Sequence, residues 1–113
     1  MAVYGRFYFK KTTNGNLIGE FSNHGMFENT TESADLVEFK ESCGFVGEYL
    51  TTWRDKKSPI LMNLTISHKT GSNGRIFDLE WTEENDKKAT RFKGQGFLCD
   101  NILIGDYTDQ INL

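Results

Sequence analysis

Residues 100–109 of the chain read DNILIGDYTD, and residues 15–23 read GNLIGEFSN. Both stretches alternate apolar and polar residues, which is typical of a β-strand with one buried face. Both also place a glycine, Gly105 or Gly19, in the middle of the strand, where the lack of a side chain weakens a sheet. The fold must therefore contain something that compensates for these glycines.

The glycines recur on one face of five predicted strands. Taking every second residue gives five series: Val3-Gly5-Phe7-Phe9, Leu17-Gly19-Phe21, Phe45-Gly47-Tyr49, Phe92-Gly94-Gly96-Leu98 and Leu103-Gly105-Tyr107. Charged residues such as Arg6, Glu20 and Lys93 fall on the opposite phase, so the glycines and the rings share the inner face. Each interior glycine costs about 0.5–1 kcal/mol relative to alanine. A small closed barrel offsets this cost, because rings of one strand fill the space above glycines of the next and because glycine permits the coiling that closure requires.

The whole chain divides into eight predicted strands joined by turns. The predicted strands are 3–10, 16–22, 34–40, 45–53, 60–68, 75–82, 90–99 and 101–107. The connections are too short for crossover helices, so neighbours in sequence should pair antiparallel. The sequence therefore predicts an all-β fold, a single eight-stranded antiparallel up-and-down β-barrel domain over residues 1–113. The segment 31–40 could instead be a short helix, because Thr31 or Ser33 could begin a capping box.

Composition narrows the classes of function. The 113 residues suffice for one core but not for two ordinary domains. The net charge of -3 comes from acidic and basic residues spread along the chain, which argues against a nucleic-acid partner. No apolar run has the length of a signal peptide or a membrane span, so we expect a soluble, cytoplasmic protein with no membrane contact. Cys43 and Cys99 match no zinc-binding spacing and are expected to be free thiols, and the sequence indicates no metal and no cofactor.

The recurring hydrophobic-x-Gly-x-aromatic phrase on meandering strands resembles the calycin-type barrels, namely the lipocalins and fatty-acid-binding proteins. It is also similar to the avidins in its repeated Gly-x-Tyr or Gly-x-Phe strands. Lipocalins carry Gly-x-Trp on their first strand, where this chain has Gly5-Arg6-Phe7. The polar residues that follow the first strand in avidins have no counterpart among Lys10 to Thr13. The resemblance covers nearly the whole chain and implies a barrel with a mouth at one end, but no particular ligand.

The two ends of such a barrel differ in their predicted connections. One end receives tight turns such as 12–15 and 100–101, whereas the other receives the longer segments 22–32, 54–59 and 83–88 and both termini. Longer loops at one rim of a barrel commonly carry the function. The inward residues predicted nearest this rim are Phe21, Tyr49, Trp53, Met62, Trp81, Phe92 and Tyr107.

Aromatic side chains at this rim suit a small apolar or aromatic ligand, because their rings form flat apolar walls with polar tips. The sequence therefore predicts a small-molecule binding module with the ligand-binding residues Phe21, His24, Tyr49, Trp53, Trp81 and Tyr107. Met26 and Phe27 would lie with His24 on a lid. The alternative is a non-catalytic interaction or assembly protein, in which the same rings only fill the core.

A small barrel enzyme is a third alternative, which rests on two histidines and several acids. His24 falls in a loop, and the sequence places no nucleophile or carboxylate beside it. His68 lies on the inward phase at the opposite end, where a structural role is favoured. Three acids follow glycines on the outward phase, which favours a solvated face: Glu20, Glu48 and Asp106. No catalytic residue is therefore predicted.

Apolar residues interrupt the polar outer face on strands that closure would bring together. They are Tyr4, Tyr8, Ile18, Phe97, Ile102 and Ile104, with Cys99 beside them. A contiguous apolar patch commonly marks an interface, so the sequence predicts a homodimer through this surface. Alternatively, the C-terminal residues Ile111 and Leu113 cover it.

Overall fold

The computed structural model describes residues 2–26, 28–39, 44–56 and 58–109. Its strands are β1 (Tyr4–Lys11), β2 (Leu17–Asn23), β3 (Thr30–Phe39), β4 (Gly47–Asp55), β5 (Ser58–His68), β6 (Phe77–Glu83), β7 (Asp86–Cys99) and β8 (Ile102–Thr108). Each strand pairs antiparallel with its neighbours in sequence, and β8 pairs with β1, so the sheet is a closed up-and-down barrel. The predicted fold class is confirmed. Among the described residues, no helix has the length and apolar character needed to cross a membrane.

Closure is made by the antiparallel pairing of β1 with β8 over seven residue pairs. Within this pairing Phe7 lies opposite Gly105, and Phe9 lies opposite Leu103. The side chains of Phe7, Phe9 and Leu103 are all buried. The last strand therefore meets the first strand with the apolar phase of both facing the interior, as the alternating pattern predicts.

Glycines on the inner wall make room for the backbone and the rings of neighbouring strands. At Gly5, an added Cβ would meet the ring of Tyr107, which lies in register on β8. At Gly19, it would meet the carbonyl oxygen of Tyr8 and lie 2.9 Å from Cδ1 of Phe9 on β1. Neither position accepts a side chain unless the neighbouring strand moves. Close approach between strands is therefore what requires these glycines.

The segment 31–40 forms a strand over its described part, because β3 pairs with β2 on one side and β4 on the other. The helix alternative is therefore wrong. β3 begins at Thr30, earlier than the predicted strand 34–40, because its pairing with β2 continues toward the mouth. This longer strand places Glu32 and Ala34 on the inner wall, where both are buried.

The connections differ in length from those predicted. At the mouth, β4 pairs with β5, and β6 with β7, until only two residues separate the strands. The predicted loops 54–59 and 83–88 are therefore wrong, because strand pairing continues through polar residues that resemble turns in sequence. At the opposite end, residues 69–76 form a longer connection than the predicted tight turn.

The closed end of the barrel is packed with apolar side chains. The buried residues there include Phe9, Leu17, Phe45, Ile66, Phe77, Leu79 and Leu103. Tyr49 is also buried, and its hydroxyl donates a hydrogen bond to the carbonyl oxygen of Phe45 at 2.7 Å. Burial raises the pKa of Tyr49 to about 12, so this phenol is a neutral structural donor. The core thus lies between the closed end and the middle of the barrel.

Candidate functional site

A cavity of about 380 Å³ opens at the end of the barrel that carries the β2–β3 connection and the two tight hairpins. Its rim includes Val3, Met26 and Lys56. Farther in, it is bounded by aromatic rings and by the carboxyl group of Glu32. This is the end of the barrel at which the sequence predicts a site.

Four partly buried rings form a closed circuit at this mouth. We call them the mouth cluster: Phe21, Trp53, Phe92 and Tyr107. Neighbouring ring centroids lie 5.7–6.3 Å apart, with interplanar angles of 70–87°. This edge-to-face geometry is favourable for aromatic pairs. The rings come from β2, β4, β7 and β8, so the mouth cluster connects opposite sides of the barrel.

The ring of Tyr107 is positioned by a glycine and an amide. Gly5 lies in register between Tyr107 and Asn23, and the Tyr107 ring occupies the space where a Gly5 side chain would be. The Asn23 amide nitrogen donates a hydrogen bond to the phenol oxygen at 3.2 Å. Burial raises the pKa of Tyr107, the bond from Asn23 opposes this, and the charges of Glu32 and Asp109 add to the rise. The phenol is therefore a neutral polar group on the cavity wall at physiological pH.

Glu32 is a buried acid on the inner wall, with only 4% of its surface exposed. Its Oε2 atom accepts hydrogen bonds from Thr51 Oγ1 at 2.5 Å and from Trp81 Nε1 at 3.0 Å. Loss of hydration raises the pKa of Glu32 to about 7, and the two hydrogen bonds oppose this only in part. An ionisable group with a perturbed pKa beside a cavity is a candidate functional group.

Both hydrogen bonds to Glu32 end on the same carboxylate oxygen. No described residue donates to its Oε1 atom, and no described Lys, Arg or His forms an ion pair with it. Glu32 borders the cavity, and the protein does not enclose Oε1 completely. This oxygen is therefore an acceptor that the cavity offers at its inner end.

Four of the six predicted ligand-binding residues border the cavity: Phe21, Trp53, Trp81 and Tyr107. The other two do not. Tyr49 is bonded toward the closed end, and His24 is exposed beside Tyr4, whose backbone nitrogen donates to His24 Nδ1 at 3.3 Å. Of the predicted lid residues, Met26 borders the cavity, whereas Phe27 lies outside the described residues.

Reasoning from the sequence missed Glu32, because it treated residues 22–32 as one loop. A signal was present, since Glu32, Ala34 and Leu36 alternate with polar residues in the same way as the other strands. That alternation puts an acid on the apolar phase, which is unusual unless the acid has a partner or a function.

The remaining candidates from the sequence lie away from the cavity. The His68 ring is at the closed end, 4.9 Å between centroids from the ring of Phe77. The acids that follow glycines occupy the outer face, as their phase predicts: Glu20, Glu48 and Asp106. Over the described ranges, no three His, Cys, Asp or Glu side chains are grouped as metal ligands would be. Cys99 is a free, exposed thiol, and Cys43 lies outside the described residues.

Two wider depressions, of about 850 and 660 Å³, lie on the outer face of the barrel. The first is bounded by side chains such as Thr65, Asp78 and Lys93, and the second by side chains such as Arg6 and Glu20. Their ionisable side chains are exposed or half-buried. The mouth cavity, which combines aromatic walls with a buried acid, is therefore the candidate site.

Comparisons with known proteins found no family model that matches the chain, and no match among curated proteins or solved structures. The resemblance to calycin-type barrels therefore stays a prediction from the sequence pattern. Such a likeness assigns no ligand, so the function has to be argued from the cavity itself.

Proposed function

We propose that this protein is a binding module for a small apolar or aromatic molecule held at the barrel mouth. The observation that carries the proposal is the cavity of about 380 Å³ beside the mouth cluster. Small-molecule sites are commonly concave and mostly apolar, with a few polar groups that orient the ligand. Here those polar groups are the carboxyl of Glu32, the phenol of Tyr107 and the amide of Asn23.

The mouth cluster supplies the apolar part of this interaction. Its rings are only partly buried, so a ligand lying against them would remove further apolar surface from water. Each Å² of apolar surface removed from water contributes about 25 cal/mol. Because the four rings support one another edge to face, they are pre-arranged, and ordering them on binding costs little.

Two alternatives receive less support. A barrel whose rings only filled the core would not keep a cavity that extends inward to Trp81 and Glu32. The enzyme alternative rests on His24, His68 and the acids of the outer face, and none of these groups borders the cavity. A calycin-like ancestry and a cytoplasmic location stay predictions from the sequence.

The test fills the cavity and uses an adjacent residue as control. Thr30 borders the cavity, whereas Thr31 is exposed on the opposite face of the same strand. We expect Thr30→Phe to block binding and Thr31→Phe to leave it unchanged. Binding is followed through the indole N–H resonances of Trp53 and Trp81 in ¹⁵N-labelled protein. The probes are phenol, benzyl alcohol, 2-phenylethylamine and 3-phenylpropanoate.

At least one probe should shift both indole resonances saturably in the wild-type protein and in Thr31→Phe. In Thr30→Phe its affinity should fall by about tenfold or more, which corresponds to about 1.4 kcal/mol. If no probe shifts these resonances, or if Thr30→Phe binds as well as Thr31→Phe, the proposed function is wrong.

A further inference from the structure

We infer that the ligand of the mouth cavity is an organic cation, an amine whose ammonium group donates to Oε1 of Glu32 while its apolar part lies against the mouth cluster. This inference rests on the proposed function and narrows it to one class of ligand. Three independent features of the cavity lead to it: the hydrogen-bond pattern of Glu32, the charges around it, and the arrangement of the rings.

The hydrogen-bond pattern leaves Glu32 as an acceptor. Thr51 donates its hydroxyl proton to Oε2, and the indole nitrogen of Trp81 can only donate, so both favour the ionised carboxylate. Glu32 borders the cavity, and its Oε1 atom has no donor among the described residues. A ligand that carries N–H donors completes this set, whereas a ligand carboxylate would meet a second acceptor.

Over the described residues, no Lys, Arg or His side chain forms an ion pair with the carboxylate of Glu32. The inward residues nearest it are uncharged: Gly19 and Phe21 on β2, Thr51 and Trp53 on β4, Trp81 on β6 and Tyr107 on β8. The charged residues that border the cavity are exposed on the rim: Arg54, Asp55 and Lys56. An uncompensated buried charge is unfavourable, so a bound cation would bring the compensation that none of the described residues supplies.

The rings of the mouth cluster favour a cation for a separate reason. The face of an aromatic ring carries negative electrostatic potential, and cations bind within about 6 Å of ring centroids, most strongly at tryptophan. All four rings of the mouth cluster border the cavity that such a group would enter. The rings and the carboxylate of Glu32 therefore both favour a positively charged ligand.

Proton linkage gives the inference a pH signature. With its pKa raised to about 7, Glu32 is largely protonated at about pH 6 and largely ionised at about pH 8. A primary amine stays protonated at both values. Binding of the cation therefore requires loss of a proton from Glu32 at the lower pH, and its affinity should fall by about tenfold from about pH 8 to about pH 6.

The experiment compares 2-phenylethylamine with 2-phenylethanol, which has nearly the same size and shape but no charge. Their affinities are measured through the Trp53 and Trp81 indole resonances for the wild-type protein, Glu32→Gln and the exposed control Glu84→Gln. At about pH 8 we expect the wild type and Glu84→Gln to prefer the amine by about tenfold, the difference expected for a charge-assisted bond. In Glu32→Gln this preference should disappear, while the affinity for the alcohol remains.

The outcomes separate this inference from the proposed function. If the alcohol or 3-phenylpropanoate binds the wild type as tightly as the amine, the cavity binds small molecules but the cation inference is wrong. If the amine preference survives in Glu32→Gln, the inference is likewise overturned. Should Glu32→Gln fail to fold, the wild-type comparison at the two pH values decides, and a preference that does not change with pH overturns the inference. If no probe binds, the proposed function itself fails.

Discussion

At the scale of single residues, Glu32 is the position where the structure departs most from a simple apolar core. Its burial disfavours the charged form, and the bonds from Thr51 and Trp81 compensate only in part. The carboxyl group is therefore harder to ionise in the folded protein than in the unfolded chain, where a glutamate is expected to have its ordinary pKa of 4.5. A residue that lowers stability and borders a cavity is more simply explained by function than by folding.

The first prediction concerns the pH dependence of stability. Below about pH 4.5, Glu32 is protonated in both states and has no effect on stability. As the pH rises from 4.5 to about 7, the unfolded chain loses the proton while the folded protein keeps it, so the free energy of unfolding falls. Above about pH 7 the loss approaches its full value, about 3 kcal/mol. Glu32→Gln keeps an acceptor for Thr51 and Trp81 but cannot ionise, so it removes this loss of stability at high pH.

Urea unfolding of Glu32→Gln and of the wild type, at about pH 4.5 and about pH 8, measures how much stability the ionisation of Glu32 removes. The stability of the variant relative to the wild type should rise by about 3 kcal/mol between the two pH values. Glu84→Gln, at an exposed position in the β6–β7 turn, should show no such change. A constant difference for Glu32→Gln would mean that the acid is no harder to ionise in the folded protein.

At the scale of strands, the glycines let neighbouring strands interlock. Gly19 is a sharp example, because its missing side chain leaves space that the Tyr8 backbone and the Phe9 ring of β1 occupy. The same interlocking brings Tyr107 over Gly5 and so helps to build the mouth cluster. The pattern that closes the barrel also positions its candidate site.

The second prediction is that Gly19→Ala is destabilising although alanine favours folding elsewhere. The added methyl group would meet the Tyr8 carbonyl oxygen and lie 2.9 Å from Phe9 Cδ1, so β1 and β2 must separate. Overpacking of this kind costs about 1–3 kcal/mol. The matched control is Gly25→Ala, where the nearest atom is 3.4 Å away.

Gly25→Ala should change the free energy of unfolding by no more than about 0.5 kcal/mol in the same urea experiment. Equal stability of the two variants would show that the barrel relaxes around Gly19, and that the glycine is not required by the close approach of β1.

The strands and their inner faces could be predicted from the sequence because both follow from a period of two that is visible locally. The direction of a side chain along the barrel axis could not. Tyr49 and Tyr107 share the inward phase, yet the phenol of Tyr49 points to the closed end and that of Tyr107 lies at the mouth. Alternation fixes the face of the sheet, whereas the direction along it depends on rotamers and on neighbours distant in sequence.

The extent of each strand also depends on distant partners. Glu32 belongs to the wall because Gly19 and Trp53 lie beside it in register, and these are contributed by β2 and β4. No local signal near residue 32 specifies that pairing. For the same reason the connections from β4 to β5 and from β6 to β7 are shorter than their polar sequences suggest.

At the scale of the whole molecule, barrel closure places the outer apolar residues in neighbouring rows. Phe97 lies in register with Ile104, and Ile104 with Tyr8, across β7, β8 and β1. The next row contains Ile102 on β8 and Ile18 on β2, with β1 between them. The exposed fractions are 52% for Phe97, 56% for Ile18 and 38% for Ile104. We call this surface, together with Tyr4, the outer wall.

A homodimer through the outer wall stays a prediction, with the competing possibility that Ile111 and Leu113 cover it. Those two residues lie outside the described part of the chain. A stable interface needs about 800 Å² on each partner, which requires a contiguous patch rather than scattered residues. The row formed by Phe97, Ile104 and Tyr8 meets the requirement of contiguity, because β8 lies between β7 and β1.

The third prediction follows from that arrangement. Light scattering at micromolar concentration should give a mass about twice the 13.0 kDa of the chain. Phe97→Lys puts a charge on the outer wall and should return the mass to that of one chain, because burying an unpaired charge opposes association. Leu61→Lys is the matched control, since Leu61 is also an exposed apolar residue, at 41%, but lies on β5, away from the outer wall.

A monomeric wild type, or a dimer that both variants leave intact, would mean that the outer wall is not the interface. Because the mouth cavity opens at one end of the barrel and the outer wall runs along its side, the dimer would leave both cavities open to ligand.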